Sequence, residues 1–147
     1  MKKVLFITIL LAVLLFTLCS CTQIDDPQSL ENCSVVIEEF RLSTDFLGRS
    51  FIVVKYAFTN KSDEPASFSG MINDYAFQNG IRLSSSLTAI AVEDFSIENQ
   101  FKEIKKGTTI SVEVAYELED NISDVEIEIS ERLSRNNKKI TKIFSIG

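Results

Sequence analysis

The 147-residue chain has no histidine and no tryptophan, and only three cysteines. Without histidine, nucleophilic catalysis through an imidazole base is excluded. Two of the cysteines, Cys19 and Cys21, stand together near the start, which leaves Cys33 alone in the body of the chain. Tetrahedral zinc therefore lacks ligands, and no disulfide can form within the body. Stability must come from burial. Nine phenylalanines and three tyrosines lie beyond residue 20, and at roughly 150–250 Å² of buried surface each they can dominate a core of this size.

The chain does have a long apolar run. Met1-Lys2-Lys3 is followed by Val4 to Leu18, broken only by Thr8 and Thr17. A short basic start, an apolar stretch and small residues behind it have the shape of a secretory signal peptide. The run is too short for a membrane-spanning helix, which needs roughly twenty apolar residues. Leu18-Cys19-Ser20-Cys21 resembles a bacterial lipobox, in which the cysteine sulfur receives diacylglycerol and the signal is cut just before it. Cys21 fits this role, whereas Cys19 would put Leu18 at the small-residue position. An ordinary signal cut nearby and an uncleaved anchor are the alternatives. The expected organisation is a lipoprotein signal peptide over residues 1–20, a lipidated cysteine and flexible tether over 21–32, and one domain over 33–147.

Without residues 1–20 the balance is 13 basic against 21 acidic residues, net −8. An acidic exterior argues against nucleic acid, whose phosphates call for a basic stripe. It also argues against a domain lying flat on anionic lipid.

The body reads as strands. Ile52, Val54, Tyr56 and Phe58 alternate onto one face, as do Ile110, Val112, Val114, Tyr116 and Leu118, with Ser111, Glu113 and Glu117 opposite. Val125, Ile127 and Ile129 repeat the pattern. Ile140, Phe144 and Ile146 share a face on which Lys142 is the exception. S-V-V-I-E-E-F-R-L, which opens the domain, alternates less perfectly. Asn79-Gly80 is a strong hairpin signal, since both residues tolerate positive φ in a type I′ turn. Lys106-Gly107 and Asn136-Asn137 mark further turns. Residues 84–95 fit a helical turn or a strand equally well. Alternating strands with turn signals between them predict an all-β fold, an antiparallel β-sandwich.

V-V-K-Y-A-F-T-N-K-S (53–62), A-F-Q-N-G (76–80) and E-I-K-K-G-T-T-I-S-V-E-V-A-Y-E-L-E-D (103–120) resemble the domain-of-unknown-function family 5067, immunoglobulin-like domains of Gram-positive bacterial lipoproteins. The resemblance covers roughly residues 33–130 and departs from the family at Lys106, where proline is expected. It implies a surface lipoprotein with an immunoglobulin-like sandwich and supplies no catalytic residues. The cysteine pair and tryptophan of true immunoglobulin domains are missing, so the likeness is one of architecture.

Each remaining candidate has a plain structural reading. Cys33 lies where tether meets domain, with no cation near it in sequence to lower its pKa, and reads as a buried, unreactive thiol. Glu38-Glu39, Asp63-Glu64, Glu93-Asp94 and Glu119-Asp120 are adjacent pairs, not carboxylates facing across a cleft. E-L-E-D-N-I-S-D (117–124) offers oxygen ligands but lacks the calcium-loop glycine. Arg132, Arg135, Lys138, Lys139 and Lys142 reverse the local charge and read either as a solvated hairpin end or as a contact for an acidic wall polymer or partner. The expectation is a non-enzymatic module, lipid-anchored at the outer face of the cell membrane. It has no cofactor or metal and binds a surface protein or wall polymer. The alternative is a surface or cell-wall enzyme that uses carboxylates or calcium.

Overall fold

The computed structural model describes residues 29–85 and 95–147. Seven strands run through these residues: β1 (Cys33–Thr44), β2 (Ser50–Asn60), β3 (Ile72–Gln78), β4 (Ile81–Arg82), β5 (Thr109–Glu117), β6 (Val125–Glu131) and β7 (Lys139–Phe144). They form two antiparallel sheets, β1-β2-β5 and β4-β3-β6-β7. The chain crosses from one sheet to the other between β2 and β3, back between β4 and β5, and again between β5 and β6, giving a sandwich. Constant-type immunoglobulin domains place the fourth strand beside the first, second and fifth. Here it pairs with β3. Among the described residues, no helix is long and apolar enough to cross a membrane.

The alternating positions form the interface between the sheets. Ile52, Val54, Tyr56, Phe58, Val112, Val114, Tyr116, Val125, Ile127 and Ile129 are all buried in one core. The four-residue helix α1 (Phe68–Met71), capped by the Ser67 hydroxyl, adds Phe68 against the rings of Tyr56 and Phe58. Phe51, Val53 and Ala115 are buried on the outer side of β2 and β5 in a second, smaller cluster, where Phe95 packs over them.

The imperfect alternation of β1 has a physical cause. Its register slips between Ile37 and Glu39, a bulge that moves the inward phase from Val35 and Ile37 to Phe40. Lys142, the exception on β7, points inward at that bulge. Its ammonium donates to the carbonyls of Ile37 (2.8 Å) and Glu38 (3.1 Å), so an inward charge occupies the free edge of β1. On the other edge of this sheet, the side-chain amides of Asn99 and Gln100 donate to the β5 carbonyls of Ser111 and Glu113.

The turns follow their residues. Asn79 and Gly80 both have positive φ, 53° and 77°, and join β3 to β4 in two residues. In Lys105–Thr108 the Thr108 N–H donates to the Lys105 carbonyl, with Gly107 at φ 78°. Lys106 thus holds the turn position that favours proline, and it makes an ion pair to Asp63 at 2.6 Å. Asn137, at φ 51°, lies in the longer β6–β7 connection.

A mostly buried chain of polar side chains crosses the core. Tyr116 on β5 donates to the Asp74 carboxylate on β3 (2.8 Å), and Tyr56 on β2 donates to the Tyr116 oxygen (3.1 Å). The bonds join the two sheets. Burial pushes Asp74 above the usual carboxylate range, and the Tyr116 hydrogen bond only partly opposes it.

Candidate functional site

Cys21 lies outside the described residues, as do Glu93-Asp94 and most of 84–95. Cys33 is fully buried, and burial raises its thiol to about 12, with Glu131 adding to the effect. A thiol this basic holds almost no thiolate at neutral pH and is a poor nucleophile. The packed domain reaches back to Ser29: Leu30 sits in the core, and Asn32 donates twice to the buried Glu131 carboxylate.

Most of the other sequence candidates within the described residues are committed to structure. Glu38 and Glu39 pair with Lys55 at 3.8 and 3.1 Å, and Asp63 pairs with Lys106. In the 117–124 segment the Asp120 carboxylate accepts from the N–H groups of Ile122 and Ser123, the Ser123 hydroxyl and the Asn79 amide. The N–H donors of Ser123 and Ile122 hold it down to about 2. Those oxygens cap a loop. Among the described residues, no three histidine, cysteine, aspartate or glutamate side chains are grouped to hold a metal ion.

The basic cluster is likewise mostly in use. Arg132 donates to the carbonyls of Ser69 and Ile72, Lys138 to that of Ser29, and Lys139 pairs with Glu128 at 2.8 Å. Arg135 alone of the five has no side-chain partner among the described residues.

The sandwich has two unlike ends. At one end the chain emerges at Ser29, beside the loops at 60–71, 100–108 and 132–138. Asn60 organises this end. Its buried amide donates to the carbonyls of Glu64 and Ile104 and accepts from the N–H and hydroxyl of Ser62. A cleft of about 250 Å³ opens between Asn32, Pro65, Met71, Glu131 and Leu133.

The other end carries the turns at 45–49 and 79–80 and the loop at 118–124. Gln78 has the organising role here. Its buried amide accepts from the N–H groups of Glu119 and Asp120 and donates to the carbonyls of Asp120 and Ser123. In D-F-L-G-R (45–49), the buried Asp45 carboxylate takes the N–H groups of Leu47 and Arg49, and the Arg49 guanidinium at 2.7 Å. Desolvation opposes its charge, but the bonds from Arg49 and Leu47 prevail and hold it below the usual range. Arg49 also bridges to Glu117 at 3.1 Å, tying the turn to β5.

This bracing leaves Phe46 and Leu47 at the tip of the turn, 80% and 67% exposed. Ile122, 78% exposed, stands on the neighbouring loop. Between the two loops lies an open depression lined by Leu42, Leu118 and Asn121, among others. Sequence reading misses this site because periodicity locates strands and says nothing of turn tips. The available signal is Asp45 with Gly48 three residues on, a turn signature enclosing two large apolar residues.

Over residues 21–131 the chain matches the family described as a domain of unknown function, DUF5067. The chain belongs to this family. The DUF5067 stretch takes in Cys21, the turn at 45–49, both buried amides and the 118–124 loop, and it stops short of the basic 132–138 loop. No curated protein matches the chain. Among solved structures, it is similar to a candidate lipoprotein of Bacillus subtilis at 14% identity with a TM-score of 0.60, covering 80% of this chain and 38% of that one. It is also similar to a candidate lipoprotein of Staphylococcus aureus at 21% identity with a TM-score of 0.58, covering 78% and 84%. The chain thus spans well under half the length of the Bacillus protein. At these identities the likeness is one of fold.

Proposed function

We propose that this DUF5067 chain is a non-enzymatic binding module, held at the outer face of the cell membrane by a lipid on Cys21, that engages a surface protein through the loops farthest from its tether. The observation that carries the reading is the exposure of Phe46, Leu47 and Ile122 on two braced loops at the end opposite Ser29. Isolated exposed apolar residues are ordinary, whereas a group of them on ordered loop tips is a feature of interaction sites. Glu119 and Asp124, both exposed, share the 118–124 loop with Ile122, so the matching partner presents an apolar recess with a basic rim. The named lipoproteins of similar fold support the anchor, as does the lipobox-like L-C-S-C. The commitment of Glu38, Glu39, Asp45, Asp63 and Asp120 to ion pairs and caps supports binding over catalysis.

Crosslinking and pull-down from intact cells, comparing the parent chain with Phe46→Ser/Leu47→Ser/Ile122→Ser, tests the site. Partner capture that depends on these three residues is the expected result, and capture unchanged by their loss overturns it. Mass spectrometry of the mature amino terminus tests the anchor. A diacylglycerol-modified peptide beginning at Cys21 is expected; an unmodified terminus elsewhere contradicts it.

A further inference from the structure

The overall charge is acidic, yet it is divided along the long axis of the sandwich. The segments at the tether end (29–32, 60–71, 100–108 and 132–138) hold seven cationic residues against four acidic ones. The segments at the far end (45–49, 79–80, 118–124 and 145–147) hold one against four. Leu133, at 87% exposure, protrudes beside Arg132 and Arg135 in the 132–138 loop, a large apolar side chain among cations. The chain emerges from this same end, and Lys138 and Lys61 bond Ser29 itself. Seven residues, 22–28, separate Ser29 from Cys21, and they span at most about 25 Å when extended. A membrane holding Cys21 is therefore within reach of these loops.

We propose that the tether end of the sandwich docks on the membrane, with Lys61, Lys105, Arg132, Arg135 and Lys138 among anionic lipid headgroups and Leu133 entering the interface. This contact stands the domain upright and points Phe46, Leu47 and Ile122 away from the bilayer. Flat docking is opposed by the acidic residues elsewhere; upright docking presents only the end where cations prevail. The proposal rests on the reading that the amino-terminal segment holds the chain at a membrane, and it does not require that the hold be a lipid.

The absence of tryptophan makes the test direct. Leu133→Trp and Leu47→Trp each give the full-length chain a single tryptophan, whose fluorescence brominated lipids quench on contact. Both variants are reconstituted in phosphatidylcholine vesicles with and without phosphatidylglycerol. The expected result is quenching of Leu133→Trp by half or more, only with phosphatidylglycerol, and little quenching of Leu47→Trp in either. Arg135→Glu/Lys105→Glu, at two residues whose side chains make no bond among the described residues, should reduce the Leu133→Trp signal severalfold at unchanged melting temperature. Equal quenching at both positions overturns the proposal, as does quenching indifferent to lipid charge. Release of the loops by a soluble polyphosphate of equal charge concentration also overturns it, because the surface would then recognise phosphate polymer and not a bilayer. An unmodified Cys21 in mass spectrometry removes the lipid anchor and leaves this result standing.

Discussion

The two ends of the sandwich are built by the same device and present opposite surfaces. At each, one buried amide makes four hydrogen bonds to loop groups: Asn60 beside the tether, Gln78 at the far end. At the tether end most of the basic-loop cations are tied to backbone carbonyls or carboxylates. At the far end the acids Asp45 and Asp120 are consumed by N–H groups, and apolar tips are left over. The lesson is that the charged residues a sequence displays first are mostly structural here. The side chains free to meet a partner are those that the charges hold in place.

The largest effect should come from removing an organising amide. Gln78→Ala strands four backbone groups and should cost about 3 kcal/mol in urea unfolding, with Asn60→Ala of the same order. A loss confined to one of the two would break the equivalence of the ends. Next, Tyr116→Phe leaves the Asp74 carboxylate and the Tyr56 hydroxyl without their shared partner and should cost about 2 kcal/mol. Gly80→Val, at φ 77°, should cost about 1–2 kcal/mol, because a β-branched residue resists positive φ. Unchanged melting in that variant would remove the type I′ turn from the account.

Acid should loosen the far end. The folded Asp120 carboxyl is held at about 2, against 3.8 for an unperturbed group. A depressed folded value means that its stabilisation is present above the unfolded pKa and is lost as pH falls from about 4 through about 2. Amide exchange in the 118–124 loop should therefore rise over that window in the parent chain. In Asp120→Asn it should be raised already at neutral pH and change less on acidification. The smallest effect on stability belongs to Phe46→Ser and Leu47→Ser, within about 0.5 kcal/mol of the parent. A large destabilisation would make those residues part of the fold and not a surface.

Much of the fold is legible in the sequence because alternation is forced by the pleat. Tyr56, Tyr116, Val114 and Ile127 are inward on both readings, and Asn79-Gly80 turns as its residues require. The β1 bulge escapes local pattern reading, since Ile37 and Phe40 break the period by one residue and only the partner strand shows why. Lys142 reads as an error on an apolar face until the β1 carbonyls are in place to receive it. Asp74, Gln78 and Asn60 are equally silent, because a polar residue at an inward position acquires its reason from groups far along the chain. The basic cluster is visible in sequence. Its division between structural bonds and Arg135, whose side chain has no partner among the described residues, is not.

The central claim is that the far end meets protein and the tether end meets membrane. A photo-crosslinking amino acid placed at position 46 or at position 135 of the full chain in intact cells tests it directly. The account predicts discrete protein adducts from position 46 that vanish with Ile122→Ser, and lipid adducts without a discrete protein band from position 135. Protein adducts from position 135 with none from position 46 would contradict it.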